Sequence, residues 1–177
     1  MGRYARDGVE IAWLPARIAD SSPAFTERKV CPVSTVDTRE IAACARIYEA
    51  WHAHAQSGDV PALLALYAPD ATLETPLIPA ILDSAHGVCH GHDELRHFFT
   101  EGTRRRPNDL VRWYRTGTYL CDGRTLTWEY PRAMPDGEQV DIVEVMEIAE
   151  GKIQRHRIYW GWFGVAMLMA SATRKTA

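Results

Sequence analysis

The chain lacks most of the features that identify a protein at first reading. No apolar run reaches the ~18 residues that a membrane-spanning helix needs. A Gly-rich phosphate loop, a G-x-S-x-G elbow and a Cys-His nucleophile spacing are all missing. The four cysteines, Cys31, Cys44, Cys89 and Cys121, are scattered without a C-x-x-C pair. That argues against a zinc knuckle or a redox dithiol, and reduced thiols in a cytoplasmic protein are the expectation. A large excess of charge of one sign is missing as well. A formal net charge of −3 gives no reason to expect nucleic acid or an anionic membrane as partner. Arg3, Arg6, Asp7 and Glu10 interrupt the N-terminus, so no signal-peptide core is expected there.

What is present fits one globular domain. At 177 residues and 46% hydrophobic, the chain can bury a real core. Residues 1–36 read as an extension for packing or assembly, broken by Pro15, Pro23 and Pro32, with one apolar piece from Val9 to Leu14. The domain is expected over 37–165, with a tail at 166–177.

Asp37 is the expected N-cap of a first helix, with Glu40 three residues on and Val36 and Ile41 as a hydrophobic staple. Ile41, Cys44, Ala45, Tyr48, Trp51, His52 and Ala55 follow helical spacing up to Gly58. A second helix is expected after Asp59, with Leu63, Leu64, Leu66 and Tyr67 inward and Pro69 as its stop. Ala71 to Thr75 reads as a strand, 76–91 as a loop, and Asp93 to Glu101 as a third helix. Everything after Leu110 is strand-like, with turns at Asp122-Gly123, Asp136-Gly137 and Glu150-Gly151. Helices first and a long meander after them mean an α+β fold: a cone-shaped, curved, mixed or antiparallel sheet closed by three N-terminal helices. Such a cone has a blind interior suited to a ligand.

One residue breaks the pattern. In Val140 to Ile148 the even positions are Val140, Ile142, Glu144, Met146 and Ile148, so a carboxylate lies on the apolar face of a strand. A buried, ionised carboxylate costs several kcal/mol unless it is paired or protonated. A three-residue turn at Ala149-Glu150-Gly151 sets Glu144 opposite His156, an arrangement able to pass a proton. It also puts Gln154, Ile158 and Trp160 on the same face. A two-residue turn sets Arg157 opposite instead and makes a structural ion pair. The sequence leaves both open.

The segments YEAWHAHAQSGDVPALLALYAPDATLETP, HGHDELRHFF and VEVMEIAEGKIQRHRIYW resemble the SnoaL-like branch of the NTF2-like superfamily, which includes ketosteroid isomerases and polyketide cyclases. The resemblance covers about residues 38 to 163. It implies a cone-shaped, cystatin-like α+β barrel with a hydrophobic pocket, often as a homodimer. In the bacterial ketosteroid isomerases an Asp-Val-Met segment carries an oxyanion-hole acid, and Glu144-Val145-Met146 stands in its place. Their general base falls at Thr75, which cannot serve as one. Their oxyanion-hole tyrosine falls at Trp51, with Tyr48 one turn earlier. The resemblance therefore implies a pocket for a flat apolar molecule, without ketosteroid isomerase activity.

The resulting expectation is a cofactor-independent enzyme that performs proton transfer on an apolar, cyclic small molecule: isomerisation, cyclisation, or dehydration or hydration. Glu144 is the principal acid or hydrogen-bond donor, and His156 is its partner. Tyr48, Trp51, Thr75, Phe98, Trp128 and Trp160 are the candidate substrate contacts. The alternatives are a non-catalytic binding protein and a dimeric assembly module. His86, His90 and His92 sit beside Asp93, but no metal is expected, because their spacing serves only if the loop folds back. Arg104-Arg105-Arg106 reads as a solvated face, or as a guide for an anionic substrate at the pocket mouth.

Overall fold

Asp37 opens the first helix as its spacing predicts. The computed structural model describes residues 37–105, 118–133 and 139–176, all within the unit Ser34–Ala177. The extension expected at 1–36, with Val9 to Leu14, and the Asp136-Gly137 turn lie outside the described residues.

Helix α1 spans Thr38–Ser57. The Asp37 carboxylate accepts the Arg39 amide at 2.9 Å, satisfying one amide of the open first turn. Gly58, at φ 72°, ends the helix in the left-handed conformation that glycine adopts without strain. The buried face runs through Cys44, Ile47, Tyr48, Trp51, His52 and Ala55. Helix α2, Val60–Leu64, starts at Asp59, whose side chain accepts the Ala62 amide at 3.0 Å.

Here the chain departs from the expectation. The helix stops before Tyr67, and strand β1 runs over Tyr67–Glu74. Pro69 lies inside that strand, within an irregularity between Tyr67 and Thr72 where a missing amide costs no ladder bond. Helix α3, Leu77–Leu82, and strand β2, Val88–His90, occupy the expected loop. Helix α4, Gly91–Arg105, buries Leu95, Phe98 and Phe99. Glu94 reaches back at its start, accepting the His90 amide at 2.8 Å.

Strands β3, Leu120–Cys121, β4, Thr125–Ala133, β5, Gln139–Ala149, and β6, Lys152–Trp160, then form the meander. The sheet order is β2-β1-β6-β5-β4-β3. β1 lies parallel to β6 and the other pairs are antiparallel, so the curved sheet is mixed. Among the described residues four helices precede β3, with β1 and β2 threaded between them. A fifth, α5 at Trp162–Thr176, corrects the reading that everything after Leu110 is strand. It lies against the sheet at Gly164, where a Cβ would meet Trp160 Cε3 at 2.5 Å and Val140 Cγ1 at 2.8 Å.

Alternation along β5 is complete: Val140, Ile142, Glu144, Met146 and Ile148 are all buried, while Asp141, Val143, Val145 and Glu147 are only half-buried. The core sits between this face and the helices. Cys44 on α1 and Cys121 on β3 form a disulfide, with Cα atoms 6.7 Å apart, and this overturns the expectation of free thiols at both. Their separation of 77 residues left no local spacing to read. Cys89 is a buried free thiol.

Candidate active site

The turn between β5 and β6 decides what meets Glu144. Glu150 and Gly151 form a two-residue turn at φ 53° and 70°, which pairs Ala149 with Lys152. Continued unchanged, that register sets Arg157 opposite Glu144. It does not continue. Ile148 pairs with Ile153 and Glu147 with Arg155, so Gln154 is an extra residue, a β-bulge. Beyond it Met146 faces His156 and Glu144 faces Ile158.

The expected direct opposition of Glu144 and His156 is thus corrected: the two are diagonal neighbours on one face. They still meet, with His156 Nε2 2.5 Å from Glu144 Oε2. Parity explains why. The two-residue turn alone would face the imidazole outward, and the bulge adds the one position that turns it back. Before the bulge Ile153, not Gln154, points into the core. The arginines flanking His156 turn the other way: Arg157 pairs with Glu147 at 2.7 Å and Arg155 with Glu74 at 3.6 Å.

Both members of the pair are buried, Glu144 at 1% exposure and His156 at 0%. A third group extends the chain of bonds. Tyr67 Oη lies 2.8 Å from His156 Nδ1, and Trp51 Nε1 donates to the same oxygen at 3.2 Å. Burial pushes the Tyr67 phenol well above its ordinary range, so its proton stays in place. His52 lies near the same charge, on α1. Burial lowers its pKa from the usual 6.5, and the Glu144 charge pulls in the opposite direction.

A cavity of about 300 Å³ opens beside the pair. Of the expected site residues, Glu144, His156, Trp51, Phe98 and Trp160 line it. Tyr48, Trp128 and Thr75 are not among its lining residues. Tyr48 and Trp128 stand behind Trp51, with ring centroids 5.2 Å apart. Thr75 is buried beyond β1, its hydroxyl accepting the Leu77 amide at 3.3 Å. Leu73, Ile142 and Ile158 supply much of the apolar lining, and the polar side chains of His54 and Arg105 line the cavity as well.

Tyr67 was the residue sequence reasoning missed. Placed in a helix, it reads as packing. Read as a strand from Tyr67, the segment shows Tyr67, Ala71 and Leu73 at even spacing, and all three are buried. Among the described residues no three metal-ligating side chains gather. His92 instead places Nε2 3.1 Å from the Tyr67 carbonyl oxygen. No described helix is long and apolar enough to cross a membrane.

Solved structures share this architecture. A candidate isomerase of Bacillus subtilis matches with a TM-score of 0.56 at 16% identity, covering 75% of this chain and 96% of that one. A SnoaL-like protein of unknown function from Burkholderia thailandensis matches at 0.53 and 16% identity, covering 68% and 95%. A candidate ketosteroid isomerase of Kribbella flavida matches at 0.52 and 20% identity, covering 72% and 82%. At these identities the likeness is one of fold. No curated protein matches the chain in sequence. The model of the SnoaL-like domain matches residues 45–156, from the middle of α1 to the imidazole of the buried pair. The chain therefore belongs to the SnoaL-like family, within the NTF2-like fold.

Proposed function

We propose that the protein is a cofactor-independent enzyme that binds an apolar, cyclic small molecule in the cavity and moves a proton on it. The reaction class is isomerisation, cyclisation, or hydration or dehydration. One observation carries the reading: a carboxyl group and an imidazole, bonded to each other at 2.5 Å, stand on the wall of a cavity lined mostly by apolar side chains. Away from bulk water such a pair holds a proton where a substrate can reach it, and its charge acts at low dielectric.

Trp51, Phe98 and Trp160 give the cavity flat aromatic surfaces that suit a ring system. Trp160 Nε1 is buried with no hydrogen-bond partner among the described residues. An unmet buried donor costs about 1–3 kcal/mol, which a carbonyl or ether oxygen on the substrate would offset. Tyr48, Trp128 and Thr75 act from behind this surface, by holding Trp51 and the end of β1.

The test begins with mass spectrometry of the small molecule that copurifies with the protein. Turnover of that compound or its ring analogues is then compared between wild type and Glu144→Gln. The expected result is a loss of at least a hundredfold in kcat with the fold intact. Full activity in the variant removes Glu144 from the mechanism. Tight binding without turnover in either protein favours the capture reading, in which the same cavity only stores its ligand. Homodimerisation is part of the proposal, through the outer sheet face that carries Tyr159, 53% exposed. Light scattering at twice the chain mass is the expected outcome.

A further inference from the structure

The bonds that lead to Glu144 have a direction, and it begins at Trp51. An indole nitrogen is a donor only. Trp51 Nε1–H therefore donates to Tyr67 Oη and occupies one acceptor site of that oxygen. The phenol keeps its own hydrogen, which needs an acceptor, because Tyr67 is 1% exposed. Among the described residues the oxygen's side-chain hydrogen-bond partners are Trp51 and His156 Nδ1. Tyr67 thus donates to Nδ1, and Nδ1 carries no proton. A neutral imidazole with a bare Nδ1 carries its hydrogen on Nε2. Nε2–H then donates to Glu144 Oε2 at 2.5 Å.

We infer that Tyr67 is the positioning residue that sets the tautomer of His156, with Trp51 steadying its hydroxyl, and that Glu144 is left as the proton acceptor of the resting site. This deepens the proposed function and rests on it for the chemistry: Glu144 begins the cycle as a general base, not as the acid that its alignment with the isomerase oxyanion hole implies. The proton leaves carbon or oxygen for a Glu144 oxygen, the electron pair stays on the substrate, and the same proton is returned to a different substrate atom. His156 Nε2–H keeps its bond throughout and stabilises the carboxylate. No oxidant or reductant is required.

The tautomer can be read without a substrate. Protein labelled with ¹⁵N in histidine is examined at pH 7 by long-range ¹H–¹⁵N correlation, with the His156 signals assigned by their loss in His156→Gln. The expected native pattern is the Nε2–H tautomer with a strongly deshielded Nε2 proton. In Tyr67→Phe, which keeps the ring and loses only the hydroxyl, the pattern of one fixed tautomer gives way to a mixture. In Trp51→Phe the Nε2–H form persists, because the phenol still has a hydrogen to give. A native His156 that carries its proton on Nδ1, or on both nitrogens, overturns the inference. Because no turnover is measured, this result is independent of the Glu144→Gln assay: catalysis can fail while the tautomer stands, and the reverse.

Discussion

His52 shows how one side chain ties the site to stability. It is buried against Tyr48, Trp51 and Trp128, with ring centroids 4.6, 5.4 and 5.1 Å away. Burial holds its pKa below 6.5, so in the pH range just under that value the unfolded chain binds a proton that the native one refuses. Unfolding then takes up a proton, and stability falls as pH drops from 6.5 toward the native pKa. For one group the slope cannot exceed about 1.4 kcal/mol per pH unit. In His52→Phe, urea unfolding at pH 7.5, 6.5 and 5.5 is expected to show a shallower decline than wild type. Equal slopes would assign the acid sensitivity to other groups. At this scale Glu144 and His156 were legible, because strand alternation is a parity rule that survives errors of two in register. Tyr67 was not, since Leu63, Leu64, Leu66 and Tyr67 continue a helical spacing as well as they open a strand.

At the scale of the element, local signals decided what could be read. Helix α1 has an N-cap aspartate, an apolar stripe and a terminal glycine, and it was found almost to the residue. Helix α5 was missed because WFGVAMLMA has no periodic polar face and its first turn contains no acidic residue. Gly164 sharpens the point. In an ordinary helix, alanine for glycine is favoured by about 1 kcal/mol. Here the added methyl would press on Trp160 and Val140 at 2.5 and 2.8 Å, and overpacking of that kind costs about 1–3 kcal/mol. The steric effect is the larger of the two. Gly164→Ala is expected to lower the melting temperature by several degrees and to shift Trp160 fluorescence, since that ring forms part of the cavity wall. A rise in melting temperature would show that α5 is not seated on the strand. The bulge at Gln154 is the other element-scale feature that no propensity announces. It is visible only when the two-residue turn and the inward imidazole are required together.

For the whole molecule, long-range ties were the least legible. The parallel β1–β6 pair, which places β6 inside the sheet, and the Cys44–Cys121 link join residues roughly 80 apart, and no local spacing encodes them. Closing a loop of 77 residues restricts the unfolded chain by an amount worth about 4.5 kcal/mol in the chain-entropy model, with measured values often lower. Reduction, or Cys121→Ser, is expected to lower the unfolding free energy by about 2–4 kcal/mol in urea titrations with and without dithiothreitol. Unchanged curves would mean that this cross-link does not form in the folded protein. The sheet order also governs synthesis. β6 is the last strand to leave the ribosome, yet it fills the middle of the sheet, between β1 and β5. Until it arrives, Tyr67 on β1 and Glu144 on β5 have no imidazole to join them. A nascent chain terminated before His156 therefore has no assembled pair, and under the proposed function it is inert rather than sluggish.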